Sequence, residues 1–89
     1  MDNTTIIGSL AAVLTTISFI PQAVRVIRTR HTRDLSLWMY LILTTGVLLW
    51  LVYGILLQNY PMIYANGITL VFTLIILGMI IKERLENPE

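Results

Sequence analysis

Three long apolar runs, each with few polar interruptions, make up most of the 89-residue chain. They cover residues 6–27, 35–57 and 62–81, which is about 20 residues each. A helix of that length, rising about 1.5 Å per residue, crosses a hydrocarbon core of about 30 Å. Because lipid offers no hydrogen-bond partner to an open backbone, each run is predicted to form a membrane-spanning α-helix.

Two short polar segments separate the runs and predict the connections between the helices. Residues 28–34, RTRHTRD, form a basic loop, and residues 58–61, QNYP, form an uncharged tight turn. Pro61 suits the first turn of the helix that follows, where a missing N–H costs nothing. The chain, residues 1–89, is therefore predicted to be a single domain of the all-α membrane class, a bundle of three transmembrane helices.

Composition supports the membrane assignment, because a small soluble domain exposes much of its surface and needs polar residues to cover it. Hydrophobic residues make up 56% of the chain and charged residues only 12%, and the mean hydropathy is +0.78. There is no cysteine, which excludes disulfides and thiolate metal sites. With no nucleotide-binding loop and no metal-ligand set in the sequence, we expect no cofactor, no bound metal and no catalytic residue.

The distribution of positive charge predicts the orientation. Six Lys and Arg residues lie on one side of the predicted bundle: Arg25, Arg28, Arg30, Arg33, Lys82 and Arg84. By the positive-inside rule that side faces the cytoplasm, so the N-terminus and the 58–61 turn face outside, in the cell (inner) membrane. The basic loop could instead bind anionic lipid or nucleic acid, but the topology signal is the favoured interpretation, and no nucleic-acid partner is expected.

Each predicted helix has one face that collects small, polar or aromatic residues at spacings of three or four. On the first helix this face holds Gly8, Ala11, Thr15, Ser18 and Gln22. On the second it holds Met39, Leu43, Gly46, Trp50, Tyr53 and Leu57. On the third it holds Asn66, Thr69, Thr73 and Leu77. These three faces are the candidates for lining a path between helices.

Trp50 and Asn66 are the strongest candidates for a binding site. Counted from the outer ends of their helices, Trp50 lies about 10 Å deep and Asn66 about 6 Å deep, so the two side chains can meet at one level. An indole ring beside an amide offers a flat apolar platform together with a donor and an acceptor. A neutral, polyhydroxylated ring needs this combination, because its C–H faces pack on the indole and its hydroxyls bond to the amide.

Structural interpretations compete with the functional ones at the remaining positions. Thr15, Thr69 and Thr73 could line a pocket or could hold neighbouring helices together by hydrogen bonds. Pro21 removes a backbone donor inside the first helix and displaces the carbonyl of Ile17, so it produces a kink. That kink could be a hinge between two segments that move separately, or a static bend.

Pro21-Gln22 in the first helix, GVLLWLVYGIL (residues 46–56) in the second and YANGITLVFT (residues 64–73) in the third together resemble one family. The chain resembles the SemiSWEETs, small bacterial sugar transporters related to the SWEET and PQ-loop proteins. The resemblance extends from about residue 6 to residue 81. It implies a three-helix unit that pairs with a second copy, so that a parallel homodimer of six helices encloses the path.

The resemblance also implies roles for individual residues. Trp50 and Asn66 from both copies are expected to bind the sugar, with Thr15, Ser18, Gly46, Thr69 and Thr73 as possible lining of the pocket. The inner gate is expected at Pro21 as the hinge, with Gln22, Met39 and Leu43. The outer gate is expected at Tyr53, Leu57 and Asn59. Relatives often carry an Arg and an acidic residue at the last two positions, so an ion-paired outer gate is not expected here.

The function that follows is facilitated diffusion of a neutral mono- or disaccharide such as glucose or sucrose. No Asp, Glu, Lys or His lies inside a predicted span, whereas proton-coupled carriers usually hold an ionisable residue there. Two alternatives remain open at this point. The chain could be a PQ-loop-type carrier of an amino acid or another small solute, or a non-transporting subunit of a larger membrane complex.

Overall fold

The computed structural model describes residues 2–87 of the chain. It contains three α-helices, named here α1 (Asn3–Thr29), α2 (Leu37–Leu56) and α3 (Tyr60–Glu86). Each helix corresponds to one apolar run, but α1 and α3 continue into the polar flanks, and α3 runs through Glu86 instead of ending at residue 81. All three are long and apolar enough to cross a membrane. The chain is therefore a multi-pass membrane protein of the all-α class.

Side-chain caps fix where the three helices begin. Asp2, Ser36 and Asn59 precede the helices, and each accepts a hydrogen bond from the backbone N–H three residues later. Such caps satisfy donors that the first turn leaves unpaired. At Asp2, the hydrogen bonds from Thr5 lower the pKa of the carboxyl, since they favour its charged form. These three caps therefore set the first residue of each helix.

The third helix lies between the other two. α3 packs against both α1 and α2, whereas no Cα atom of α1 lies within 8 Å of one of α2 in the described part of the chain. The spatial order is therefore α1–α3–α2. One edge of α1 and one edge of α2 remain without a neighbour in the protomer, and the second and third helices in sequence are joined by a connection of only three residues, Leu57–Asn59.

The best-packed core lies toward the end of the bundle that carries the α1–α2 loop. It comprises Ala23 from α1, Tyr40 from α2, and Ile76 and Ile80 from α3. Ile76 and Ile80 have no exposed surface. Elsewhere the protomer leaves most of its large apolar side chains exposed, including Trp38 and Leu56. That distribution suits a chain whose surroundings are lipid rather than water.

The loop between α1 and α2 is held by specific bonds. Arg30 ends α1 in the left-handed conformation, with φ 56°, and its N–H donates to the carbonyl of Val26 at 2.8 Å. Thr32 is buried. The Arg84 guanidinium, near the end of α3, donates to the carbonyl of Leu35 at 2.6 Å. The loop is thereby tied to both long helices.

α1 runs without interruption through Pro21. The proline has no N–H, so the carbonyl of Ile17 has lost its usual helical partner. Pro21 is exposed, and it lies beside the buried Ala23 of the core. The defect therefore occurs where α1 enters its best-packed segment.

Candidate functional site

One cavity brings the two strongest sequence candidates together. It has a volume of about 260 Å³ and lies among all three helices. Its lining residues are Gly8, Ala11, Ala12 and Thr15 from α1, Trp50 from α2, and Met62 and Asn66 from α3. The small residues of α1 leave the space that the indole and the amide border. The depth argument made from the sequence predicted this meeting of Trp50 and Asn66.

Trp50 presents an aromatic surface that the protomer does not cover. Its side chain is 56% exposed. Its ring packs edge-to-face on Tyr53, with ring centroids 5.6 Å apart and planes at 79°. A neighbouring groove is formed by Trp50 and Tyr53 with Gly46 and Leu49. Gly46 leaves open space there, since a Cβ at this position would meet no atom within 4 Å.

Asn66 is half-buried and partly satisfied within its own helix. Its Nδ2 donates to the carbonyl of Met62 at 3.0 Å. This bond orients the amide, and it leaves the second Nδ2 hydrogen and the Oδ1 acceptor available to another partner. The amide therefore has both donor and acceptor capacity beside the cavity.

Met62 shapes the cavity in a way that the sequence analysis missed. It is buried at the end of the bundle that carries the Leu57–Asn59 connection. A Cβ on Gly54 would lie 3.1 Å from Met62 Cγ, and a Cβ on Gly8 would lie 3.8 Å from Met62 Cε. The two glycines thus make room for the thioether chain, which is flexible and adapts to irregular gaps. Gly8 and Gly54 were the features of the sequence that could have pointed to Met62. Only the structure shows that both glycines face this one residue.

The remaining candidates on α1 differ in position. Thr15 lines the cavity, and its hydroxyl donates to the carbonyl of Ala11 at 2.9 Å, so its oxygen still can accept. Ser18 is exposed, and its hydroxyl donates to the carbonyl of Thr15 at 2.8 Å. Ser18 lies outside the cavity in the protomer, one turn closer to Pro21.

Thr69 and Thr73 do not line the cavity. Thr73 has no exposed surface, and its hydroxyl donates to the carbonyl of Leu70 at 3.0 Å. The hydroxyl of Thr69 lies 3.1 Å from that of Thr16, a residue of α1 that the sequence analysis had not singled out. Neither threonine borders this cavity in the single chain, and their role as lining of the complete pocket stays a prediction. The contact of Thr69 with Thr16 is a hydrogen bond between two helices, which was the alternative interpretation of this residue.

The residues expected at the inner gate are spread over two helices. Pro21 and Gln22 are exposed on α1, and Met39 is exposed on α2. Leu43 instead packs partly buried against the core cluster. In the described part of the chain the Cα atoms of Pro21 and Met39 lie more than 8 Å apart, as do all Cα pairs between α1 and α2.

The outer end contains one clear departure from expectation. Tyr53 and Leu57 are exposed, as residues that close a path against a second copy would be. Asn59, expected beside them, is buried, and its side chain forms hydrogen bonds within the chain. Its Oδ1 caps α3, and its Nδ2 donates to Ser9 Oγ at 3.1 Å. Both amide atoms are thus engaged within the chain, so a part in sealing the entrance would require Asn59 to break these bonds.

Within residues 2–87 no group of three or more His, Cys, Asp or Glu side chains is arranged to hold a metal ion. The charged side chains of this segment lie at or near helix ends and in the α1–α2 loop. The chemistry that the cavity offers is therefore aromatic stacking and neutral hydrogen bonding.

Comparison with known proteins assigns the family. Residues 4–63 match the family model described as PQ loop repeat. The sugar transporter SemiSWEET of Leptospira biflexa serovar Patoc is 54% identical over 77 residues, which are 86% of this chain and 88% of that protein. The chain belongs to the SemiSWEET family. The sugar transporter SemiSWEET of Bradyrhizobium diazoefficiens is 43% identical over 65 residues, covering 73% of this chain and 76% of its own.

Solved structures of SemiSWEET-type proteins have the same fold. A SemiSWEET crystallised in the inward-open conformation matches with a TM-score of 0.83 at 36% identity, covering 97% of this chain and 92% of its own. A bacterial homologue of SWEET transporters matches with a TM-score of 0.70 at 38% identity, covering 91% and 98%. These matches confirm the predicted SemiSWEET resemblance and the three-helix architecture. The roles of individual residues stay predictions.

Proposed function

We propose that this SemiSWEET is a sugar transporter that carries a neutral mono- or disaccharide across the cell (inner) membrane by facilitated diffusion. The observation that carries the proposal is the meeting of Trp50 and Asn66 at one cavity within a three-span membrane bundle. The relatives at 54% and 43% identity are named as sugar transporters. A transporter, rather than an enzyme, also suits a site without nucleophile, metal set or perturbed acid.

In the proposed complex the sugar lies between the indole and the amide. The apolar C–H face of the ring packs on Trp50, which is already steadied by its edge-to-face contact with Tyr53. A sugar hydroxyl donates to Asn66 Oδ1, and a second hydroxyl accepts the free hydrogen of Nδ2. Thr15 borders the same cavity, and Gly46 borders the neighbouring groove that Trp50 also lines. Because all these groups are neutral, a charged solute would lack a compensating charge.

The site is proposed to be completed by a second copy. Pockets for small molecules typically occupy about 300–1,000 Å³, and the cavity with Trp50 and Asn66 in one protomer is smaller, at about 260 Å³. Trp50 and Tyr53 are half-exposed on that side, which suits contact with another aromatic surface. A parallel homodimer about an axis normal to the membrane would place two such surfaces face to face and enclose the sugar.

Alternating access is the proposed mechanism. Segments of α1 on either side of Pro21 move relative to each other, and Gln22, Met39 and Leu43 open or close the cytoplasmic end. At the other end, Tyr53 and Leu57 meet their counterparts in the second copy. Because neither side chain carries a charge, this outer closure depends on packing. We further propose that the N-terminus lies outside and the C-terminus in the cytoplasm, following the positive charges of the α1–α2 loop.

Transport is proposed to be uncoupled from ion gradients. At the level of the cavity, none of the three helices carries Asp, Glu, Lys, Arg or His. A proton-driven cycle usually needs such a group inside the membrane. The sugar should therefore move only down its own concentration gradient.

The decisive experiment is uptake of labelled glucose and sucrose into proteoliposomes that contain only this chain, with and without an imposed pH gradient. Trp50→Ala and Asn66→Ala should abolish uptake. Trp38→Ala is the matched control, because Trp38 lies on the same helix, is exposed, and does not border the cavity. Accumulation driven by the gradient, or equal loss in all three variants, would contradict the proposal.

A further inference from the structure

A large cavity of the protomer lies away from Trp50 and Asn66. It has a volume of about 510 Å³ and lies between the end of α1, the start of the following loop and the last turns of α3. Its lining residues are Ile27, Arg30, Thr32, Ile75, Gly78, Met79, Lys82, Glu83 and Glu86. We call it the terminal groove. Nothing in the transport mechanism uses it.

The terminal groove opens on the side of α3 that faces away from the sugar cavity. At about 100° per residue, Ile75, Lys82 and Glu86 lie on the opposite side of the helix from Asn66. A path enclosed around Asn66 by a second copy would therefore leave this groove facing lipid. The terminal groove is thus positioned for a molecule of the membrane rather than for the transported sugar.

The chemistry of the groove changes along its length. Ile27, Ile75 and Met79 make one part apolar, and Gly78 leaves it open, because a Cβ there would meet no atom within 4 Å. The other part carries two cations, Arg30 and Lys82, and two carboxylates. An apolar channel that leads to charges of both signs fits an amphiphile with a zwitterionic head.

The length of α3 places the charged part at the right depth. Its 27 residues extend about 40 Å at 1.5 Å per residue, whereas the hydrocarbon core is about 30 Å thick. The last turns, from Lys82 to Glu86, therefore project into the headgroup layer. There the charged side chains meet lipid phosphates and amines instead of acyl chains.

Some charged side chains of the terminal groove have no ion-pair partner within the described residues. Glu83 is paired with Arg84, at 2.6 Å. Among the described residues, Arg30, Lys82 and Glu86 have no ion-pair partner. The backbone of Arg30 is fixed by its bond to Val26 and by the bonds that hold the loop. Two cations and one carboxylate at one end of the groove are thus available to bind a ligand.

We propose that the terminal groove binds a membrane phospholipid whose headgroup carries both a phosphate and a primary ammonium, such as phosphatidylethanolamine. Arg30 and Lys82 bind the phosphate, for which a guanidinium has the favourable geometry. Glu86, with Glu83 beside it, accepts hydrogen bonds from the ammonium. One acyl chain lies along Ile75 and Met79 over Gly78.

The test is native mass spectrometry of the purified full-length chain with an equimolar mixture of phosphatidylethanolamine and phosphatidylglycerol of identical acyl chains. The two lipids share the phosphate and differ in the ammonium. We expect about threefold more phosphatidylethanolamine retained, the ratio that one partly exposed ion pair supplies. Equal retention, or more phosphatidylglycerol, would overturn the proposal without the need for any variant.

Substitutions test the carboxylate, the cations and the apolar channel of the groove one at a time. Glu86→Gln should remove the preference between the lipids, and Arg30→Gln with Lys82→Gln should lower retention of both. Gly78→Leu should also lower retention of both by filling the channel without changing any charge. Arg33→Gln, in the same loop but outside the groove, is the charge control, and Gly67→Leu, at another open glycine of α3, is the steric control. Retention unchanged in the groove variants, or lowered as much in the controls, would refute the assignment.

A final competition experiment distinguishes binding of the whole lipid from binding of its water-soluble headgroup. Glycerophosphoethanolamine at the same concentration should displace none of the bound phosphatidylethanolamine, because it lacks the chain that fills the apolar part of the groove. Displacement by this compound would show that the groove recognises the headgroup alone, and the proposed lipid occupant would be wrong.

Discussion

The amide of Asn59 donates to the hydroxyl of Ser9 at 3.1 Å, which links the turn before α3 to α1. Both side chains are buried. The Ser9 hydroxyl donates in turn to the carbonyl of Thr5 at 2.8 Å, and the Asn59 Oδ1 accepts from the N–H of Met62 at 3.1 Å. The Asn59 side chain thus caps α3, links it to α1 and fixes the backbone of Met62, which borders the cavity with Trp50 and Asn66.

Removal of this amide should weaken the outer end of the protomer. We expect Asn59→Ala to lower the free energy of unfolding by about 1 kcal/mol for the lost cap and about 0.6 kcal/mol for the lost bond between helices. Ser9→Ala should cost only the second amount. Unfolding by SDS titration from mixed micelles measures both, and the double variant completes the cycle. Strictly additive effects of the two substitutions would show that the Ser9–Asn59 bond contributes nothing.

Two equally buried threonines should respond in opposite ways to removal of the hydroxyl. Thr16 and Thr44 are each 8% exposed. The Thr16 hydroxyl donates to the carbonyl of Ala65 at 3.2 Å, whereas the Thr44 hydroxyl has no hydrogen-bond partner among the described residues. Thr16→Val should therefore destabilise the protomer by about 0.6 kcal/mol, and Thr44→Val should be neutral or stabilising. A larger loss in Thr44→Val than in Thr16→Val would contradict this account.

A methyl group on Gly54 should force Met62 to shift, because the Cβ position of Gly54 lies 3.1 Å from Met62 Cγ. Gly54→Ala should push the Met62 side chain toward the sugar cavity and destabilise the packing of α2 on α3 by about 1 kcal/mol. Sugar uptake in proteoliposomes should fall as the cavity narrows.

The control for this substitution is Gly67→Ala, where the added methyl meets nothing within 4 Å. Adding Met62→Ala to Gly54→Ala should restore part of the uptake, since it removes the side chain that the methyl displaces. If Gly54→Ala and Gly67→Ala behave alike, the contact with Met62 does not constrain the cavity.

Pro21 should affect the rate of transport more than the binding of sugar. Pro21→Ala restores one helical hydrogen bond to Ile17, worth about 1 kcal/mol, which must be broken each time the proposed hinge bends. Exchange across the membrane should then slow by about fivefold. The Kd for sugar, measured by calorimetry, should change little, because Pro21 does not border the cavity.

Pro61→Ala is the matched control for the hinge, since Pro61 lies in the first turn of α3, where a proline removes no helical bond. It should leave the exchange rate unchanged. A rate for Pro21→Ala equal to that of the unmodified protein would make Pro21 a static kink.

Much of the fold could be predicted from the sequence, because lipid imposes helices on every long apolar run. The level of Trp50 and Asn66 was predictable as well, since depth along a helix follows from counting residues. The lateral arrangement of the three helices could not be predicted from residue counting. Counting places Thr73 and Asn66 on one stripe, but only the position of α3 between the other helices decides that Thr73 is buried and that Asn66 borders a cavity.

Asn59 shows a second limit of the sequence. An amide in a tight turn can face the entrance or can cap the next helix, and its position in the chain is compatible with both. The choice depends on Ser9, which is 50 residues away. Likewise, the terminal groove combines the end of α1 with the end of α3, and neither segment alone suggests a cavity.

The position of α3 between α1 and α2 has a consequence for how the protein is made. The first two helices to leave the ribosome have no Cα atoms within 8 Å of each other in the described chain, so most of the helix packing has to wait for α3. Tertiary structure begins only when the last helix arrives and fills the gap between them. A nascent chain that stalls after residue 56 would leave two separate helices in the bilayer, with nothing in the protomer to hold them until synthesis resumes or a protease removes them.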